Sequence, residues 1–252
     1  MKRFFRRHAT LWMLIGFCLL LGLFLSLRTG IFFTGRNLIN ILEANSFKLL
    51  LAIGMTFVIA SGGIDLSVGS ILSLSAIFTA LCMKQNIPVW LAILVGLLSG
   101  ILMGLINGAL IHFTGINAFI ITLGTSFLYR GLALIVTRGT PVSKLPAAYR
   151  AFGGGDIFQV ESGVYMALLV LLLSIPLLYK MRWGHYITTL GGNPVAQRRC
   201  GVRTGAWRIS TFAVMGFLAA LAGIIISARL NSAEPNAGLN MEMDAITAVI
   251  LG

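Results

Sequence analysis

Long apolar runs separated by short polar stretches dominate this chain. The first run covers 11–27 and follows the basic stretch KRFFRRH at 2–8. A signal peptide shares that order, but no A-x-A cleavage site follows, because the run ends in Ser26, Leu27 and Arg28. The pattern predicts an uncleaved first span. Two short runs come next, at 49–60 and 71–83, with the segment SGGIDLSVGS at 61–70 between them. A helix over the first of these would be only about 18 Å long, against about 30 Å of hydrocarbon. Either the spans extend into polar flanks or the glycine segment itself lies at membrane depth. Longer runs follow at 89–111, 119–136, 164–179 and 209–228, and another apolar run begins at 245. This pattern predicts an all-α, polytopic transmembrane bundle of seven spans and the start of an eighth. It occupies 1–252 as a single domain.

Composition agrees with the pattern. The 252 residues are 58% hydrophobic and 10% charged, and the mean hydropathy is +0.94. A soluble domain is about 25% charged. Disorder, a nucleic-acid module and a secreted disulfide scaffold are excluded on these grounds. Cys18, Cys82 and Cys200 have no metal-ligand spacing.

Charge sets the orientation. Of the 19 Lys and Arg residues, Lys2, Arg3, Arg6 and Arg7 precede the first run. Lys180, Arg182, Arg198, Arg199, Arg203 and Arg208 sit in one polar loop, 180–208. Neither stretch contains an acid, which is the pattern of cytoplasmic segments. Counting 49–60 and 71–83 as two crossings puts both basic stretches on one side. The expectation is therefore two spans meeting at a glycine-broken segment, with the N-terminus and the loop 180–208 cytoplasmic. The polar stretch 137–162 should be external.

Three elements carry candidate chemistry. In 61–70, Gly62, Gly63 and Gly69 break a helix, and Asp65 and Ser67 can cap the next one. An acid near membrane depth usually faces a cavity or a partner, and transporters build sites from interrupted helices. Ser61, Gly62, Gly63, Asp65 and Ser67 are thus candidates for the translocation pathway or its gate, with a plain capping role as the alternative. In the run 89–111, Gly96, Gly100, Gly104 and Gly108 recur every four residues and form one ridge for close helix packing, with Asn107 beside it. Asn107 joins the pathway candidates. Ala219 and Gly223 give a second small face.

In the basic loop, Gly191, Gly192, Asn193 and Pro194 lead into 195–200 and then Gly201. Asn at the N-cap, Pro at the first helical position and Gly after the last turn mark a short helix. Gly192, Asn193, Pro194, Ala196 and Gly201 are its candidate functional positions. It either docks a moving cytoplasmic partner or lies on anionic lipid through Arg198 and Arg199. His8, His112 and His185 are scattered, no catalytic motif or Walker A sequence occurs, and nothing calls for a metal or cofactor.

Four segments then carry a resemblance: LAIGMTFVIASGGIDLSVGS at 51–70, AFIITLGTSFLYRGLALIVTRGTPV at 118–142, LGGNPVAQRRCGV at 190–202 and EMDAITAVILG at 242–252. In this order they resemble the membrane permease subunits of ATP-binding cassette importers for ribose, galactose, xylose and related sugars. The resemblance implies an inner-membrane transport subunit rather than an enzyme, moving a monosaccharide or related sugar. Its implied partners are a cytoplasmic ATP-binding cassette subunit that hydrolyses ATP, an extracytoplasmic sugar-binding protein and a second permease subunit in a homo- or heterodimer. It places the ATPase contact at 193–201 and family motifs at 119–124, at Arg130 with Gly131, and at 242–244. Ala118 stands where a proline is usual, and Gln197, Arg198, Arg199 and Cys200 are more basic than the usual alanine-rich stretch. The family continues beyond Gly252, so the chain is expected to be C-terminally shortened. Two other readings stay open at this point: an ion-coupled secondary transporter working through Asp65, and an inactive truncated permease.

Overall fold

A computed structural model describes residues 9–251. The basic positions Lys2, Arg3, Arg6 and Arg7, with His8, lie outside the described residues. Eleven helices are described, with only short strand pairs between them. The apolar runs become α1 (Ala9–Thr29), α2 (Gly35–Ala60), α3 (Val68–Lys84), α4 (Val89–Thr114), α5 (Ala118–Thr137), α7 (Ser162–Tyr179) and α10 (Thr204–Leu230). α6 (Ala147–Gly154) lies between α5 and α7, α8 (Arg182–Gly192) and α9 (Pro194–Arg199) lie between α7 and α10, and α11 (Met241–Leu251) comes last. Among the described residues five helices, α2, α4, α5, α7 and α10, are long and apolar enough to cross a membrane.

The run 49–60 needed more length than its apolar residues supply. α2 extends it back through polar Asn45 and Glu43 to Gly35, giving 26 residues, about 39 Å. Thr34 caps it by accepting from the Asn37 amide. α3 remains at 17 residues, and the chain is non-helical between Ala60 and Val68. The spans thus extend into a polar flank on one side of the break only.

α10 is the central helix, buried for most of its length against α2, α3 and α4. The glycine ridge of α4 makes this contact close. A Cβ on Gly96 would strike Thr79 of α3, on Gly100 Ala220 and the Gly216 carbonyl, on Gly104 the Phe212 carbonyl, and on Gly108 Ile209. A Cβ on Gly223 would strike the Leu72 carbonyl of α3. Lipid offers no hydrophobic drive between helices, so such backbone approach supplies the packing. α1, in contrast, turns Met13, Phe17, Leu20 and Leu27 outward.

The bundle has two ends. At one, Gly62, two residues past the end of α2, touches Gly191 at the end of α8. At the other, Arg229 at the end of α10 pairs with Glu161 ahead of α7 at 2.8 Å. The polar stretches at this second end are structured, although their sequence reads only as loop. β1 (Val142–Ser143) pairs antiparallel with β4 (Ser232–Ala233), β2 (Asp156–Ile157) pairs with β3 (Val160–Glu161), and α6 anchors through the Tyr149 hydroxyl, 2.6 Å from that of Ser227. Glu161 lies outside the spans; burial raises its carboxyl above the usual range, and Arg229 pulls it back.

Candidate translocation site at the helix break

Two non-helical segments lie inside the bundle, one just before α3 and one packed on its first turns. The first is the break 61–67. The second follows α10. From Leu230 the chain passes Ala233 at the second end and then runs back to Gly238, which lies against Gly69 so closely that a Cβ on either residue would strike the other's carbonyl. Lys84, at the far end of α3, bonds the Lys144 carbonyl at that second end. Gly69 is therefore about 22 Å down the α3 axis from it. Non-helical backbone at such depth is tolerated only where protein encloses it. Pro235 and Gly238 are buried, as are Asp65, Leu66 and Ser67.

Side chains hold the first segment, although the buried Asp65 Oδ2 has no hydrogen-bond partner. The Asp65 Oδ1 accepts from the Ser67 amide at 2.8 Å and from the Ser67 hydroxyl at 2.6 Å. Asn107 of α4 donates to the same Ser67 hydroxyl at 2.7 Å, and the Tyr129 hydroxyl of α5 donates to Asn107 Oδ1 at 3.2 Å. Thr122 of α5 accepts from the Leu66 amide at 3.1 Å. The capping expectation needs correction. Ser67 occupies the N-cap position of α3 but makes no side-chain cap bond, because its hydroxyl is committed to Asp65 and Asn107. Asp65 instead closes a turn on Ser67.

The second segment hangs on an arginine. Arg130 of α5 donates through Nη1 to the Pro235 carbonyl at 2.5 Å and to the Ser73 hydroxyl at 2.9 Å. Ser73 in turn accepts from the Gly238 amide at 3.2 Å and donates to the Gly69 carbonyl at 3.0 Å. Glu242, in the first turn of α11, supplies the nearby negative charge. A cation inside a span is costly and marks function or a fixed partner. Here it clasps the returning segment to α3. Arg130 interrupts the apolar run 119–136, so the signal was in the sequence, but its partners lie 57 and 105 positions away.

The predicted positions thus fall into separate groups. Asp65, Ser67 and Asn107 join one buried network. Ser61, Gly62 and Gly63 line a different space, a cavity of about 160 Å³ shared with Asn117 and Arg208. Gly62 takes φ +81°, a conformation that only glycine adopts freely. Gly96, Gly100, Gly104 and Gly108 lie on the α4 seam. In the basic loop Asn193 caps α9, its Oδ1 accepting from the Ala196 amide at 2.9 Å, Pro194 is the first helical residue, and Gly201 turns the chain at φ +77°. Gly192, Asn193 and Ala196 line an apolar groove of about 520 Å³ between α8 and α9. Among the described residues no three His, Cys, Asp or Glu side chains gather where they could share a metal ion.

The family model described as "Branched-chain amino acid transport system / permease component" matches residues 37–252. The chain belongs to this permease family. It is a multi-pass membrane protein and a transport component. It is 38% identical over 225 residues to the ribose import permease protein of Haemophilus influenzae, covering 88% of this chain and 70% of that one. The ribose import permease protein of Bacillus subtilis is 38% identical over 239 residues, 92% and 74% of the two chains. The D-allose transport system permease protein of Escherichia coli is 34% identical over 250 residues, 99% and 76%. No solved structure matches the chain. The family label names branched-chain amino acids, whereas these three relatives are named for sugars. The pairwise identities bear more directly on this chain than a label shared by the whole family.

Proposed function

We propose that this permease carries a monosaccharide or a related sugar inward across the inner membrane as one subunit of an ATP-binding cassette importer. The similarity to ribose and D-allose permeases over most of the chain carries the reading. ATP hydrolysis takes place in a separate cytoplasmic subunit, capture in an extracytoplasmic sugar-binding protein, and a second permease subunit completes the channel. The N-terminus and the loop 180–208 face the cytoplasm. Gly192, Asn193, Pro194, Ala196 and Gly201 form the ATPase contact. Its geometry suits the task, because α9 is short, capped at its start and set between two spanning helices.

Alternating access then works on the helix break. ATPase closure pushes α9, and Gly191 carries the push to Gly62, since these backbones are in contact. Ser61, Gly62 and Gly63 form the gate beside the cytoplasmic cavity, while Asp65, Ser67 and Asn107 hold the broken segment in shape. Asp65 supports this positioning role better than ion coupling, because it is fully buried and bound to Ser67. The test is uptake of labelled ribose and D-allose into proteoliposomes holding the permease, its cognate ATPase and its binding protein. ATP-dependent accumulation is expected. Uptake driven by an ion gradient without the ATPase would sink the proposal.

A further inference from the structure

α9 has two working faces. Asn193, Ala196, Gln197 and Cys200 point to the groove against α8. Pro194, Val195 and Arg198 point the other way, into a larger cavity of about 830 Å³ between α9 and the ends of α4 and α10. Arg203 and Arg208 also line this second cavity, and no acidic side chain does. Arg198 lies near enough to Arg208 for the two charges to repel. Among the described residues, none of these three guanidiniums makes an ion pair; the two pairs formed are Lys48 with Asp244 and Arg229 with Glu161. Three unneutralised cations round one concave space call for an anion.

The level of the cavity says which kind. It opens where α4 ends at Thr114 and where α10 begins at Thr204, just before the apolar stretch from Ile209. With α4 and α10 taken as spans by their length and composition, such helix ends fall near the boundary between hydrocarbon and headgroups. Beside it, Phe113 is 80% exposed, Val195 60% and Ile116 44%. An anion with an apolar tail satisfies both features, whereas a free phosphate leaves the apolar rim uncovered. Basic pockets between spanning helices on one membrane face suit acidic lipid headgroups.

We propose that this cavity binds the phosphate of an anionic phospholipid, through Arg198 and Arg203 at its mouth and Arg208 deeper in, with the acyl chains along Phe113 and Ile116. A lipid held there wedges the face of α9 opposite the α8 groove. The inference rests on the membrane location of the chain and stands apart from the identity of the sugar.

The test is native mass spectrometry of the full chain in detergent, with phosphatidylglycerol titrated against phosphatidylcholine. Preferential retention of phosphatidylglycerol is expected. Arg198→Gln with Arg203→Gln should weaken it roughly 25-fold, about fivefold for each arginine. Lys180→Gln with Arg182→Gln removes the same charge outside the cavity and should leave retention unchanged. The mutated side chains are on the outside, and each single variant carries the test at about fivefold if the double variant aggregates. Equal retention of the two lipids, or equal loss in the control variant, overturns the proposal. Displacement of the lipid by inorganic phosphate alone would assign the cavity to a free anion and overturn it as well. So would loss of ATPase co-purification in the double variant with phosphatidylglycerol retention unchanged, because the arginines would then serve a protein partner.

Discussion

The helix break and the basic loop solve opposite problems. At the break, Asp65 Oδ1, Ser67, Asn107 and Tyr129 bond to one another and Arg130 Nη1 bonds Ser73 and Pro235, so that among these side chains only the buried Asp65 Oδ2 is an oxygen with no partner. In the loop, Arg198, Arg203 and Arg208 meet no acid among the described residues. A polar group shut inside a bundle is stabilised by a partner in the same chain, because an unpaired one costs about 1–3 kcal/mol. A cation at a membrane boundary is solvated and can remain free for lipid or protein. The first region is therefore built to hold a shape, and the second to be met from outside.

The largest effect should come from the seam that supports the break. Gly104→Leu drives a side chain into the Phe212 carbonyl and should cost about 3 kcal/mol, lowering the thermal unfolding midpoint in detergent by roughly 10 °C. Gly124→Ala, where a Cβ meets nothing within 4 Å inside α5, is the control and should not lower stability, raising it by up to about 1 kcal/mol. If the two behave alike, the seam is not a packing device.

Next comes Asp65→Ala, which strands the buried Ser67 amide and hydroxyl and should cost about 2–3 kcal/mol. Asp65→Asn keeps the accepting oxygen and should cost less than half of that in the same unfolding measurement. Equal losses would mean that the charge, and not the acceptor, is what matters there.

Asn193→Ala removes the α9 cap at a cost of about 1 kcal/mol, local to that helix. The unfolding midpoint should barely move, while co-purification of the ATPase falls. A fall in the midpoint with co-purification intact would erase the contrast between the regions. The smallest effect belongs to Lys48→Ala. It removes a pair to Asp244 whose side chains are 41% and 53% exposed, worth under about 1 kcal/mol, and the difference should vanish in high salt.

Several elements could be read from the sequence because their signals are local. α9 announces its cap, its first proline and its closing glycine within nine residues, and the α4 ridge shows in its four-residue period. α2 beyond residue 49 was illegible, because Gly35 to Lys48 is too polar to look like a span until Thr34 caps it and Asn37 bonds back to the Phe32 carbonyl. The helix in 147–154 and the strand pairs were hidden for another reason. For the helix and for the β1–β4 pair, the stabilising partners, Ser227 for Tyr149 and Ala233 for Val142, lie far along the chain; the β2–β3 pair is local. The site was half legible: Asp65 and Arg130 stand out as charges among apolar residues, but their partners do not.

By itself the sequence determined that this chain is an all-α membrane protein broken at 61–67, since hydropathy and glycine act on neighbouring residues. Only the tertiary structure decided that Asp65 turns onto Ser67 instead of capping α3, and that the segment after α10 returns to Gly69. Both outcomes depend on which distant side chains are at hand when a polar group loses water, and that is a property of the packed bundle.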